Sequence, residues 1–185
     1  RWVMPAHRDF GLVLNVFDDQ EIFNEELKGN AAIGHNRYST TGASKNPANI
    51  QPFRVHYRSG NIAIGHNGNL ANAKQLRDRF REEGVLFQST SDTELILHLI
   101  SHSKKETQLE QVLDALEQVE GAYSLVMLTD EKLIAVRDPN GFRPLALGKV
   151  DGSYCVASET CAFDIIDAEY IRDIEPGEVL VMDKE

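Results

Sequence analysis

Three short polar segments contain side chains that could hold charged groups or stabilise a developing negative charge. Arg37 lies in the first segment, Asn67 and Gly68 lie in the second, and Asp92 lies in the third. A guanidinium pairs with a carboxylate through two parallel hydrogen bonds, and a carboxylate pairs with an ammonium group. An amide N–H beside a glycine N–H supplies the two donors that a tetrahedral oxyanion needs.

Each of these residues also has an ordinary structural interpretation. Arg37 could form a surface ion pair, and Asn67–Gly68 is a common turn dipeptide. Asp92 could serve only as a helix cap. For any one residue alone the structural interpretation is the more common one, so the functional interpretation depends on all three segments occurring in this order.

Length and composition restrict the class of protein. The 185 residues suit one domain. A net charge of −10 with scattered basic residues argues against a nucleic-acid partner. Cys155 and Cys161 are too few for a disulfide framework and lack the spacing of a zinc site. No signal peptide or apolar run of membrane-spanning length is evident, so we expect a cytoplasmic protein without a membrane partner.

The pattern of apolar residues predicts grouped helices among short strands. Ser91 and Glu94 have the spacing of a capping box before an apolar helix. The remaining expectations are a buried strand over residues 11–17, a helix containing Ile22, Phe23 and Leu27, a hairpin of residues 53–57 and 62–65, helices over residues 70–81 and 109–119, and strands over residues 123–128, 133–136, 145–147, 154–157 and 179–182. This arrangement favours an α+β fold with antiparallel sheets.

In their order, the three segments resemble the glutaminase domain of class II glutamine amidotransferases. The resemblance implies an N-terminal-nucleophile hydrolase fold, with two stacked antiparallel β-sheets between helical layers. It also implies that Arg37 binds the α-carboxylate of glutamine and that Asp92 binds its α-ammonium group. The side chain of Asn67 and the main-chain N–H of Gly68 would form the oxyanion hole.

Within this class, residues 38–42, Tyr-Ser-Thr-Thr-Gly, resemble the amidophosphoribosyltransferase family. Residues 137–145, 157–164 and 172–178 are close to signatures of the same family. The resemblance implies that glutamine hydrolysis supplies ammonia for the formation of 5-phosphoribosylamine from phosphoribosyl pyrophosphate, the first step of purine synthesis. It further implies a phosphoribosyltransferase domain in the same polypeptide and a homo-oligomer.

The family uses an N-terminal cysteine whose own α-amino group acts as the base. Arg1 stands first here, and neither Cys155 nor Cys161 has a free α-amino group. We therefore expect residues 1–185 to be one amidotransferase domain of a longer enzyme, incomplete at its N-terminus and inactive alone. Two alternatives remain open: the glutaminase domain of another class II enzyme, such as a glucosamine-phosphate synthase, and a catalytically dead regulatory domain.

Further expectations concern cofactors and neighbouring residues. Some family members carry an iron–sulfur cluster with one cysteine in a segment like that of Cys161, which makes Cys161 a candidate cluster ligand; the alternative is a buried cysteine that packs as a small apolar side chain. The resemblance implies that a cluster and Mg²⁺ would belong to the full-length enzyme, with no cofactor in this domain. The resemblance also implies that residues 38–47 fold over bound glutamine. His35 and His66 could order the site by hydrogen bonds, although a half-buried structural histidine is the more common case.

Overall fold

The computed structural model describes residues 4–37 and 46–183, and two antiparallel sheets form its frame. The larger sheet has the strand order β1-β2-β3-β4-β8, and the smaller has the order β6-β5-β7. The strands of the larger sheet are β1 (Phe53–Tyr57), β2 (Gly60–Leu70), β3 (Gly121–Thr129), β4 (Leu133–Arg137) and β8 (Val179–Met182). Those of the smaller sheet are β5 (Ala146–Val150), β6 (Ser153–Ala157) and β7 (Glu169–Asp173).

Successive residues of β4 face opposite sides of the larger sheet and belong to two different hydrophobic cores. Ile134 and Val136 of β4 belong to the main core with the helices, whereas Ala135 packs with Leu145 and Ile174 in a second core beside the smaller sheet. The main core also receives the apolar sides of α2 (Ala73–Glu82), α3 (Thr93–His102) and α4 (Gln108–Leu116). The short helix α5 (Cys161–Ile165) buries Phe163 against the smaller sheet. The α+β class with antiparallel sheets is therefore confirmed.

The N-terminal apolar run departs from the sequence prediction. Residues 11–17 do not form a buried strand: they contain a four-residue helix, α1 (Val13–Val16), and Leu12 and Leu14 are 73% and 84% exposed. The next segment forms a π-helical turn, Ile22–Glu26, in place of a regular helix. An apolar run shows only that a segment could be buried, and no strand among the described residues pairs with residues 11–17.

The capping box predicted before α3 is also wrong. The Glu94 carboxylate does not reach back to the residue that caps the helix. It accepts hydrogen bonds from the main-chain N–H groups of Gln88 and Ser89, at 2.7 and 2.8 Å. A capping box does begin α4, where Thr107 and Glu110 satisfy each other's main-chain N–H groups.

The sequence prediction missed two elements in the second half of the chain, β7 and α5. The strand β7 carries Glu169, Arg172 and Asp173 and is mostly exposed, so it lacks an apolar pattern. The helix α5 is only five residues long and buries one side chain. Both elements form because the smaller sheet provides a pairing edge and a surface for Phe163.

Candidate active site

The candidate site is built on one open edge of β2. Strand β1 pairs with β2 only as far as Phe53 opposite Ile64, whereas β3 pairs with β2 to its end, Leu70 opposite Gly121. Residues 65–70 therefore have a neighbouring strand on one side only. Along a strand, successive N–H groups point to alternate sides, so every second N–H of this segment points to the open edge.

Side chains from distant segments occupy this edge on both sides of Gly68. The His66 N–H donates to Oε1 of Gln51 at 2.7 Å, and the Leu70 N–H donates to Oδ2 of Asp92 at 2.9 Å. By alternation, the Gly68 N–H points to the same edge, between these two. No residue in the described ranges accepts from it, so it is left for an acceptor from outside the sheet.

No residue with a side chain fits at position 68 unless β2 and β3 move apart. A Cβ atom at this position would lie 2.0 Å from the carbonyl oxygen of Ala122 and 2.7 Å from Cα of Tyr123. The backbone φ of Gly68 is +150°, which L side chains rarely adopt. Glycine is therefore required here for the close approach of β2 to β3, and this approach fixes the direction of the Gly68 N–H.

Asn67 precedes this glycine and is exposed. Its side chain makes no hydrogen bond to any residue in the described ranges, so its amide is available to an external group. Asn67 and Gly68 both lie inside β2, opposite Ser124 and Tyr123. The interpretation of this dipeptide as a turn is therefore wrong.

Asp92 stands directly before α3 but does not cap it with its side chain. One carboxylate oxygen accepts from Leu70 N–H, and the other lies 3.6 Å from Nδ1 of His66. Burial alone would raise the pKa of Asp92, but the neighbouring His66 and the main-chain donors outweigh it, so the pKa lies below its ordinary value. Asp92 thus presents a carboxylate anion at the edge of β2, and its side chain is 20% exposed.

The segment that leads into Arg37 is attached to the same edge through His35. Nε2 of His35 lies 3.0 Å from the carbonyl oxygen of His66, to which it donates. Burial lowers the pKa of His35 and outweighs the hydrogen bond to the His66 carbonyl oxygen, which raises it, so the neutral donor is favoured. Arg37 itself is exposed and has no salt bridge within the described part of the chain. The interpretation of Arg37 as a surface ion pair therefore has no support.

The structure also reveals supporting residues that sequence analysis did not identify. Gln51 holds the main chain of His66, and Asn49 exchanges hydrogen bonds with Thr90, whose N–H donates to Oδ1 of Asn49 at 3.0 Å. Arg77 donates to the carbonyl oxygen of Ser91 at 2.7 Å and lies over the ring of a neighbouring phenylalanine. Amides and an arginine in polar segments carry no local signal for such roles, because their partners are 12 to 41 residues away.

Two further predictions concern Cys161 as a cofactor ligand and the loop expected to cover glutamine. Cys161 begins α5, is exposed, and its thiol lies 3.6 Å from Oε2 of Glu159. Among the described residues, no group of three or more His, Cys, Asp or Glu side chains could hold a metal ion. Since an iron–sulfur cluster needs about four thiolates, the assignment of Cys161 as a cluster ligand in the full-length enzyme stays a prediction. The predicted loop over glutamine, residues 38–47, lies mostly outside the described residues, as do residues 38–42 of the family signature.

One further structural finding concerns membranes. In residues 4–37 and 46–183, no helix combines the length and the apolar character needed to cross a bilayer.

Comparisons with known proteins identify relatives of similar sequence. Amidophosphoribosyltransferase 1, chloroplastic, of Arabidopsis thaliana is 51% identical over 184 residues, which are 99% of this chain and 32% of the relative. The amidophosphoribosyltransferase of Methanothermobacter thermautotrophicus is 47% identical over 181 residues, which are 97% of this chain and 38% of the relative. The chain therefore spans about a third of the length of these relatives.

A solved structure shares the fold. Glutamine phosphoribosylpyrophosphate amidotransferase from B. subtilis, complexed with ADP and GMP, superposes with a TM-score of 0.86 and is 42% identical, over 94% of this chain and 37% of that chain. The family described as the glutamine amidotransferase domain matches residues 35–164, well over half of the chain and all four predicted site residues. The matching family, the similar relatives and the shared fold show that this chain belongs to the glutamine amidotransferase domain family.

Proposed function

We propose that this domain binds glutamine and stabilises the oxyanion that forms while the side-chain amide is hydrolysed. The observation that carries the proposal is the open edge of β2, where the Gly68 N–H and the amide of Asn67 are both available to an external acceptor. Donors fixed in place before the reaction stabilise a developing oxyanion without reorganisation. The Asp92 carboxylate lies at the same edge, because it accepts a hydrogen bond from the N–H of Leu70, two residues after Gly68.

Each group has a separate role in the proposed reaction. Arg37 pairs with the α-carboxylate of glutamine, and Asp92 pairs with its α-ammonium group. A thiolate attacks the side-chain amide carbon, the carbonyl oxygen becomes an oxyanion, and Asn67 and Gly68 donate to it. Collapse of this intermediate breaks the C–N bond as the α-ammonium group of the attacking cysteine passes a proton to the leaving nitrogen, which releases ammonia and leaves a thioester. Water then adds to the thioester, and cleavage of its C–S bond gives glutamate and the free thiol. The family resemblance supplies the thiolate from an N-terminal cysteine, a role that Cys155 and Cys161 cannot take because their amino groups are in peptide bonds.

The proposal extends to the larger reaction of the relatives. Two observations support a companion domain: the relatives are about three times as long as this chain, and they are named amidophosphoribosyltransferases. Ammonia would pass to phosphoribosyl pyrophosphate in a phosphoribosyltransferase domain of the same polypeptide, yielding 5-phosphoribosylamine, and the polypeptide would form a homo-oligomer. The cytoplasmic location stays a prediction, because the Arabidopsis relative is named as chloroplastic.

Replacement of Asn67 tests the proposal. In the full-length polypeptide, Asn67→Ala should reduce glutamine turnover by about 10²- to 10³-fold, the usual loss for one oxyanion donor. The KM for glutamine should change much less, because the bond forms mainly in the transition state. The reaction with external ammonia should continue, since it bypasses the glutaminase site.

Asn69→Ala is the matched control. Asn69 is also exposed on β2, two residues further on, and its amide makes only a long bond of 3.5 Å to the adjacent Leu70 carbonyl. Its replacement should leave glutamine turnover intact. Normal glutamine turnover in the Asn67 variant would refute the proposed oxyanion hole, and loss of the ammonia reaction as well would indicate a structural defect instead. A wild-type polypeptide without glutaminase activity would favour the non-catalytic regulatory alternative.

A further inference from the structure

We propose that His66 is a positioning residue that sets the Asp92 carboxylate against the segment carrying the oxyanion donors. This inference rests on the proposed glutaminase function and assigns a role to a side chain that touches no substrate. His66 lies directly before Asn67, and its side chain is 1% exposed between β2 and the start of α3.

The site of His66 is one that the strand pattern would give to an apolar residue. Ile62 and Ile64 precede it at alternate positions of β2 and belong to the main core. An imidazole buried in their place costs stability unless its polar atoms are satisfied. A polar side chain at this position therefore needs a reason beyond filling space, and its contacts provide one.

The Nδ1 atom of His66 faces two oxygen atoms at the start of α3, of which only Oγ1 of Thr93 lies within hydrogen-bond distance. It lies 3.1 Å from Oγ1 of Thr93 and 3.6 Å from Oδ1 of Asp92. Thr93 is fully buried, and its Oγ1 also accepts from the Ser91 hydroxyl at 3.1 Å. The imidazole thus lies beside one carboxylate oxygen of Asp92, and the Leu70 N–H donates to the other.

The other ring nitrogen indicates which tautomer is present. Nε2 of His66 is buried and has no hydrogen-bond partner among the described residues. A buried N–H without a partner is costly, and a lone pair without one is less so. The proton therefore resides on Nδ1, where it is donated toward Thr93 and Asp92. The Leu70 N–H then holds one carboxylate oxygen of Asp92, the His66 ring lies beside the other, and the remaining lone pairs are left for a substrate cation.

The main chain of His66 is equally restrained. Its N–H donates to Oε1 of Gln51, and its carbonyl oxygen accepts from Nε2 of His35 at 3.0 Å and from Nε2 of Gln51 at 3.5 Å. One residue thereby connects the segment before Arg37, the strand with Asn67, and the helix start with Asp92. Displacement of the His66 side chain would release Asp92 while the backbone of β2 remains held.

Two substitutions distinguish a positioning role from a packing role, because the two roles predict opposite rankings of the variants in their use of glutamine. His66→Leu keeps an apolar group of similar size but removes the donor. His66→Asn is smaller, yet its amide can place an N–H near the position of Nδ1. In the full-length polypeptide we expect His66→Leu to raise the KM for glutamine by about 3- to 10-fold, the effect of losing one hydrogen bond between uncharged groups beside the Asp92 carboxylate. His66→Asn should recover most of this loss, and the rate with external ammonia should be unchanged in both.

If the imidazole only fills the core, His66→Leu will use glutamine normally and His66→Asn will be the more impaired and the less thermally stable variant. That order overturns the proposal, as does an equal KM increase in both variants. His56→Leu serves as the control, because His56 is exposed on β1 and remote from Asp92.

The Asn67→Ala variant separates this inference from the function on which it depends. If Asn67→Ala reduces glutamine turnover and His66→Leu does not raise the KM, only the positioning role fails. If Asn67→Ala has no effect, the proposed glutaminase site fails, and the role of His66 fails with it.

Discussion

Replacing Gly68 by alanine tests the steric basis of the oxyanion donor. The new Cβ would meet the carbonyl oxygen of Ala122 at 2.0 Å, its carbonyl carbon at 2.9 Å, and Cα of Tyr123 at 2.7 Å. Carbon atoms in contact normally lie about 3.5 to 4.0 Å apart. All three atoms belong to the backbone of β3, so none can rotate away, and the two strands must separate by roughly 1 Å.

The cost in stability has two parts. Overpacking of this kind costs about 1 to 3 kcal/mol, and a strained backbone conformation costs about 1 to 3 kcal/mol more. The free energy of unfolding should therefore fall by about 2 to 6 kcal/mol. For a chain of this length each kcal/mol lowers the Tm by about 2 to 4 °C, so we expect the Tm to fall by roughly 5 to 20 °C.

Function should suffer independently of unfolding. A displacement of roughly 1 Å at a reacting group can reduce turnover by about 10²-fold, and the Gly68 N–H moves with its strand. Thermal unfolding of this chain by circular dichroism measures the first effect. Glutamine turnover of the full-length variant, at a temperature where it remains folded, measures the second.

Gly84→Ala is the matched control for the backbone term. Gly84 follows α2 with φ of +81°, and no heavy atom lies within 4 Å of the position of its Cβ. Its replacement should cost only about 1 to 2 kcal/mol and leave glutamine turnover unchanged. If Gly68→Ala melts no lower than Gly84→Ala and turns over glutamine normally, the close approach of β2 and β3 does not position the donor, and the reasoning fails.

Two further predictions concern Asp138 and Arg37. The buried Asp138 carboxylate accepts from the main-chain N–H groups of Asn140, Phe142 and Arg143, so Asp138→Asn, which exchanges an acceptor for a donor, should lower the free energy of unfolding in urea by about 2 to 4 kcal/mol. Burial would raise the pKa of Asp138, but these hydrogen bonds outweigh it, so the pKa lies below its ordinary value. The stabilisation from the ionised Asp138 is therefore present at about pH 7 and is lost as the pH falls through the pKa of the folded state. If Asp138→Asn lowered the free energy of unfolding as much at about pH 3 as at about pH 7, this account would be contradicted. Arg37→Ala should leave the free energy of unfolding within about 0.5 kcal/mol and raise the glutamine KM by about 10-fold or more, whereas a large loss of stability with an unchanged KM would contradict a substrate-binding role.

The residue types of the site and the α+β class were predictable from the sequence. The order of Arg37, Asn67–Gly68 and Asp92 indicated the family, and the hairpin of β1 and β2 followed from alternation beside turn residues. These features depend on neighbouring residues in the chain, so local patterns are sufficient to identify them. The predicted roles of the four residues still await the substitutions described above.

The tertiary structure alone decided the contacts of those residues for which the sequence allowed two interpretations. Asp92 could cap a helix or face a site, and its bond to Leu70, 22 residues away, determines that its carboxylate belongs to the edge of β2. Glu94 has the spacing of a capping box, yet it binds the main chain before α3. The sequence marks His66 only as a histidine beside Asn67 that could order the site, and only the packing of α3 on β2 places its ring beside Thr93 and Asp92.

The same reason explains where the sequence prediction was wrong. Residues 11–17 are apolar enough for a strand, but a strand also needs a partner edge, and sequence periodicity does not specify one. Conversely, β7 is polar and exposed and is a strand because β5 offers it an edge. Local sequence thus determined which groups this domain contains, whereas hydrogen bonds between segments distant in the chain determined which of those groups meet at the open edge of β2.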